Sequence, residues 1–312
     1  MSKISEALDL IQSPRQSAGP NDPDNVDTAG ANVIAKLASP ANEQEPNFAS
    51  NRTVHIDREA LRDAYLLPPE QDELLLANQY RDIKRPLIAH AFGKRATQVE
   101  RGNLIMVTSS IAGEGKTFTS INLALSMARE RDYTTLLVDA DPVKPHISQI
   151  FGAENEIGLL DVLENPDLDV REAILPTNEK GLRILPAGKP RPGASELLSS
   201  EAMDKVVELL CRTSGRQIVV LDAPPLLQTS EAKVLSRIAG QIVLVVRAEH
   251  TPREDVNAAL SILNEDRAVN MLLNQARFTS GKYQYGYGAG FNSSGQNSEH
   301  EPKEEHKSEI FE

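Results

Sequence analysis

The stretch that decides the fold is Leu104-Ile-Met-Val-Thr-Ser-Ser-Ile-Ala-Gly-Glu-Gly-Lys-Thr117. Leu104–Val107 is a short, uninterrupted apolar run, which reads as a buried strand. Ser110 to Thr117 then fits the G-x-x-x-x-G-K-[ST] pattern with Ser110 in place of the first glycine. The residues that follow, Thr117 to Arg131, place Ile121, Leu125 and Ala128 on one helical face. A glycine-rich turn between strand and helix aims backbone N–H groups at phosphate oxygens, and the helix start adds partial positive charge. Lys116 can reach the β- and γ-phosphates of ATP, and the Thr117 hydroxyl can hold Mg²⁺. The whole cradle, Ala112, Gly113, Glu114, Gly115, Lys116, Thr117 and Phe118, is expected to line the nucleotide.

Outward from this loop the pattern alternates. Strands are expected at Thr134–Val138, Leu182–Leu185, Gln217–Leu221, Ile242–Val246 and Val269–Leu273. Helices are expected at His146–Phe151, Leu159–Glu164, Ala194–Arg212, Ser230–Ile238 and Pro252–Glu265. Such alternation with unbroken apolar strands predicts an α/β, P-loop NTPase-like fold. Its sheet is mostly parallel and covered by helices on both faces. Parallel strands deliver their C-terminal ends to one edge, where ligands bind. Asp139 and Asp141 close one strand and Asp222 another, so three carboxylates are expected near the phosphates. A lone Asp at a strand end is usually a turn or cap residue. Three of them beside a phosphate loop favour metal and base roles.

The remaining composition sets limits. The chain has 312 residues, 33 Lys plus Arg against 45 Asp plus Glu, and a formal net charge of −12. That balance argues against a chain that coats nucleic acid. One cysteine, Cys211, allows no internal disulfide. It reads as a small core residue. Mean hydropathy is −0.36, and no apolar run approaches the roughly 20 residues of a membrane span. A cytoplasmic location is expected. Aromatic content is 4% with no Trp, so the core must be aliphatic.

Three segments are expected. Residues 1–56 carry a short helix at 1–11 and a flexible linker rich in Ser, Pro, Asn and Asp. Residues 57–278 form the P-loop domain, with helical pattern from Asp57 to Phe92 broken at Pro68-Pro69 and at Pro86. Residues 279–312 form a tail, disordered at its end. Half of the chain's six tyrosines stand there, at Tyr283, Tyr285 and Tyr287. The glycines around them argue against a stable strand. From Asn274 the chain can reach Tyr283 over a span of about 30 Å.

These features together resemble the bacterial tyrosine kinase family, the cytoplasmic autokinases of exopolysaccharide export. The chain is similar to the soluble members found beside exosortase loci, down to its MSKISEALDL start. The resemblance spans Asp57 to Tyr287. It rests on SSIAGEGKT, LLVDADPVKP and IVVLDAPPLLQTSEA, with Gly158-Leu-Leu-Asp-Val-Leu, Leu182-Arg-Ile-Leu-Pro-Ala-Gly188 and Glu196-Leu-Leu between them. Gln79-Tyr-Arg-Asp-Ile-Lys-Arg-Pro-Leu87 resembles the family's subunit-contact helix, and Tyr283 to Tyr287 its phosphorylated tyrosine cluster. Val143 stands where the family carries Arg. Asn78, Arg81 and Lys84 stand in its E-x-x-R-x-x-R positions.

The resemblance implies an ATP- and Mg²⁺-dependent protein-tyrosine autokinase, acting between subunits of a homo-oligomeric ring. A separate membrane polysaccharide co-polymerase would be its activator. Lys116, Asp139, Asp141 and Asp222 are the expected catalytic residues. Thr117, Asp139, Asp141 and Asp222 are the expected metal ligands, and Asp141 or Asp139 is the base. The alternatives are a deviant P-loop ATPase switch, whose extra lysine would stand at Ile111, and an ATP-binding adaptor without kinase activity.

Overall fold

The computed structural model describes residues 52–93, 99–212, 216–264 and 267–276. The expected N-terminal helix, most of the linker, and Tyr283, Tyr285 and Tyr287 lie outside the described residues.

Seven strands form one sheet in the order β3-β4-β2-β5-β1-β6-β7. They are β1 (Leu104–Ser109), β2 (Thr134–Asp139), β3 (Leu175–Pro176), β4 (Leu182–Leu185), β5 (Gln217–Asp222), β6 (Gln241–Arg247) and β7 (Ala268–Asn274). All adjacent pairs are parallel except β3–β4. Every residue of β1 and β5 is buried, as a sheet covered on both faces requires. The side chains alternate between faces. Ile105, Val107, Val220 and Val243 pack with Ile121, Leu123 and Ala124 of α3 (Lys116–Ala128) in one aliphatic cluster. The strand residues between them turn to the other face, where α8 (Glu201–Cys211) and α9 (Ser230–Ile238) lie.

Before β1 come α1 (Arg58–Asp63), a 3₁₀ turn (Glu70–Asp72) and α2 (Glu73–Phe92). After β2 come α4 (His146–Ile150), α5 (Leu159–Glu164) and α6 (Val170–Ala173), then α7 (Ala194–Leu198) ahead of α8, and α10 (Arg253–Ile262) before β7. Val54 and Ile56 are buried in the core, so the folded body reaches upstream of the expected boundary at 57.

Three expectations are corrected. First, α2 runs through Pro86 without ending. Proline removes one helical hydrogen bond and crowds the carbonyl four residues earlier, but packing on both sides of it holds the helix. Tyr80, Lys84 and Leu87 are buried, and the buried Gln241 side chain donates to the Leu87 carbonyl at 2.9 Å. Second, Ala194–Arg212 is two helices, not one. The Ser199 and Ser200 hydroxyls donate to the carbonyls of Glu196 and Leu197 at 3.0 and 2.7 Å. Hydroxyls that bond the local backbone compete with helix continuation. Third, Lys84 is no part of an exposed subunit-contact strip. It is 7% exposed, donates to the Ser126 carbonyl at 2.6 Å, and pairs with Glu130 at 2.7 Å. It therefore fastens α2 onto α3 within one chain, while Arg81 and Arg85 stay exposed.

Candidate active site

Gly113 and Gly115 have φ of 85° and 96°, the left-handed region where a side chain is strained. Gly115 is the N-cap of α3, which has no side-chain cap. The first backbone N–H there with a helical partner is that of Thr119, bonded to the Gly115 carbonyl at 2.9 Å. The amides before it are the orphan donors of a helix start. A Cβ built at Gly113 would meet nothing within 4 Å. Open space, unclaimed donors and the Lys116 ammonium fit a polyphosphate.

The Thr117 hydroxyl donates to Asp222 Oδ2 at 2.9 Å, which joins the loop to the end of β5. Ser120, one turn further along α3, donates to Asp222 Oδ1 at 2.8 Å. Burial pushes the Asp222 carboxyl up to about 6, against the opposing pull of Lys116 and of the two hydroxyls. A hydroxyl and a carboxylate oxygen side by side fit Mg²⁺, which keeps several waters and takes few protein ligands. Among the described residues, no group of three or more His, Cys, Asp or Glu is placed to hold a metal.

Asp139 is the register partner of Asp222 on β2. It is fully buried, and its Oδ2 accepts from the Ser148 amide at 2.8 Å and the Ser148 hydroxyl at 2.7 Å. Burial, then the charge of Asp222, raises its carboxyl to about 7, and the Ser148 bonds oppose the rise. Asp141 is only partly buried. Its Oδ1 accepts from the Val143 and Lys144 amides at 3.2 and 2.9 Å, so the loop after β2 is a turn built on that carboxylate.

The rest of the cradle divides. Ala112 and Gly113 are exposed at the loop tip, while the Glu114 side chain is wholly buried, accepting from the Ile111 amide and the Thr251 hydroxyl. Phe118 packs against the core and lines an apolar cavity of about 630 Å³ with Tyr80, Ile83 and Leu272. The buried Glu114 carboxylate, held by Ile111 and Thr251, leaves only its backbone atoms to serve a nucleotide. Val143 is 65% exposed, and His146 is an exposed residue at the start of α4. Cys211 is half-buried and not part of the core, and burial raises its thiol to about 11, which suits an unreactive thiol. Ser120, Ser148, Thr251 and Asn274 were not legible as site residues. Their one available cue was position, since Asn274 ends a strand at the same sheet edge as Asp139 and Asp222.

A mostly parallel sheet with a glycine-rich loop after an interior strand, and an Asp on the neighbouring strand bonded to the loop's Thr, defines a P-loop nucleotide-binding protein. The chain matches the model of the AAA domain family over residues 102–273. It is 31% identical over 215 residues to the tyrosine-protein kinase YwqD of Bacillus subtilis (strain 168), covering 68% of this chain and 86% of that protein. It is also 31% identical over 193 residues to the tyrosine-protein kinase Wzc of Salmonella typhimurium. That match covers 60% of this chain and only 26% of the longer relative. Two solved structures share 28% identity with it. The VpsO kinase domain has a TM-score of 0.54, covering 67% of this chain and all 100% of that one. The kinase domain of the Escherichia coli tyrosine kinase ETK has a TM-score of 0.50, covering 64% and 79%. The chain belongs to the bacterial tyrosine-protein kinase family. No helix among the described residues is long and apolar enough to cross a membrane.

Proposed function

We propose that this protein is an ATP-dependent protein-tyrosine autokinase that phosphorylates its own C-terminal cluster, Tyr283, Tyr285 and Tyr287, in trans within a homo-oligomer, and thereby regulates exopolysaccharide synthesis or export. A separate membrane polysaccharide co-polymerase is the proposed activator, and would bring a cytoplasmic chain to the membrane's inner face. The observation that carries the reading is the Thr117–Asp222 bond at the foot of the phosphate loop, in a chain whose relatives are named tyrosine-protein kinases.

Phosphoryl transfer asks mainly for positioning and charge stabilisation. Lys116 sits at the start of α3, where its ammonium meets the β- and γ-phosphates. Thr117 and Asp222 would hold Mg²⁺, which supplies charge neutralisation between those phosphates when bound. Asp141 is the proposed base, because it is reachable from solvent and its Oδ2 is spared by the two amides. A tyrosine hydroxyl with an ordinary pKa of about 10 needs such an acceptor. Asp139, enclosed by Ser148, sets the charge around Asp222 instead of meeting the substrate.

Incubation with radiolabelled ATP, followed by mass spectrometry, tests the reading. Label is expected on the tyrosine cluster and lost when all three are changed to Phe. Mixing a Lys116→Ala chain with the triple Tyr→Phe chain should label the Lys116→Ala chain. ATP hydrolysis with no phosphotyrosine would overturn the kinase reading in favour of an ATPase switch.

A further inference from the structure

The phosphate loop is gripped through one buried residue, Glu114. Glu114 is fully buried within it. Its Oε2 accepts from the Ile111 amide at 2.8 Å, closing the loop on itself. Its Oε1 accepts from the Thr251 hydroxyl, whose oxygen also accepts from the Arg247 amide at 3.0 Å, at the end of β6. The backbone of Glu114 is held separately. Asn274, the last residue of β7, donates from Nδ2 to the Glu114 carbonyl at 2.9 Å. Asn274 is itself fixed, since its carbonyl accepts from the Ala248 amide and its Oδ1 from the Gln275 amide, both at 2.9 Å. A Cβ at Gly115 would lie 2.0 Å from Asn274 Nδ2, so the asparagine also fills the space that a larger loop residue would need.

Two segments thus hold one loop residue at its two ends, the carboxylate from the turn after β6 and the carbonyl from the end of β7. We propose that Asn274 and Thr251 are positioning residues that act through Glu114 to keep the phosphate loop in its nucleotide-receptive shape before ligand arrives. The inference rests on the nucleotide site of the proposed kinase and deepens it. A loop with two left-handed glycines has much backbone freedom to lose. Any freedom left in the empty loop is subtracted from binding, and a preorganised loop avoids that loss. The anchors bond Glu114 and leave the amides at the start of α3 unclaimed, so their effect falls on nucleotide capture and not on the transfer step.

The test is calorimetry of Mg–ATPγS binding together with steady-state autophosphorylation, on the full chain. Asn274→Ala and Thr251→Ala should each weaken binding roughly fivefold to tenfold, the range of one net hydrogen bond. The KM for ATP should rise in step, while kcat at saturating ATP stays within about twofold, since the anchors act on capture. Asn274→Asp, which sets a carboxylate against the Glu114 carbonyl, should weaken binding further. Thr251→Ser, which keeps the hydroxyl, should restore the wild-type values. A purely structural role would lower the melting temperature of the nucleotide-free protein and kcat without this KM split. Wild-type affinity in both Asn274 variants, or loss of kcat at constant KM, would overturn the proposal. Wild-type protein that binds nucleotide but labels no tyrosine would sink the kinase reading alone, and the calorimetry would still decide the positioning role.

Discussion

Asp139 and Asp222 face each other as register partners on the adjacent parallel strands β2 and β5, and both are buried. Two carboxyls that close, in so little water, resist ionising together. The structure separates them by their partners. Asp222 has Lys116, Thr117 and Ser120 nearby, and Asp139 has Ser148.

This pairing makes stability depend on pH. The folded-state carboxyl of Asp139 is raised to about 7 from an unfolded value of 3.8. Between those values the folded chain binds more protons than the unfolded chain, so stability falls as pH rises and levels off above about 7. The nucleotide-free protein should melt at a higher temperature near pH 5.5 than at pH 8. Asp139→Asn should flatten that slope. Parallel melting curves for the two proteins would contradict the assignment.

Ser120 gives a second, finer prediction. Ser120→Ala removes the buried donor to Asp222 Oδ1, and a buried acceptor without its partner costs about 1–3 kcal/mol. The bond favours the ionised carboxylate, so the loss should be larger at pH 8 than at pH 5. Urea unfolding at both values checks it.

At Gly115 two penalties coincide. The left-handed φ of 96° costs a side chain about 1–3 kcal/mol, and Asn274 Nδ2 occupies the place of the new Cβ. Gly115→Ala should therefore lower stability and also displace Asn274. In Gly113→Ala the backbone penalty stands alone, because nothing lies within 4 Å of that position. Comparing the pair by urea unfolding isolates the contact.

Lys84 tests the correction made to the contact helix. Lys84→Met leaves the Ser126 carbonyl and Glu130 without their donor, and should cost about 1–3 kcal/mol. Oligomer mass by light scattering should not change. A shift in oligomer mass with unaltered stability would return Lys84 to a subunit contact.

Much of this was legible because its causes are local. The run Leu104–Val107, the glycines at 113 and 115, and the Asp at each strand end follow from periodicity and turn chemistry, and each stands where the sequence placed it. What escaped depends on contacts between distant segments. Pro86 ends a helix by local rules, yet Gln241, far away on β6, helps carry α2 past it. Lys84 looks like a solvated charge until α3 supplies the Ser126 carbonyl and the turn after it Glu130. Glu114 looks like one more loop residue, and nothing nearby in sequence announces Thr251 or Asn274 as its keepers. The split at Ser199-Ser200 was in principle readable, since two hydroxyls in a row inside a helical pattern signal competition for backbone carbonyls.

β7 lies at the rim of the sheet, with β6 as its single neighbour, and its final register pair joins Arg247 to Asn274. Past Ala276 the polypeptide runs on toward the tyrosines. A shift of the end of β7 reaches the phosphate loop through the Asn274 side chain. The outermost strand and the nucleotide grip thus share one tether, a single amide group bonded to a single carbonyl.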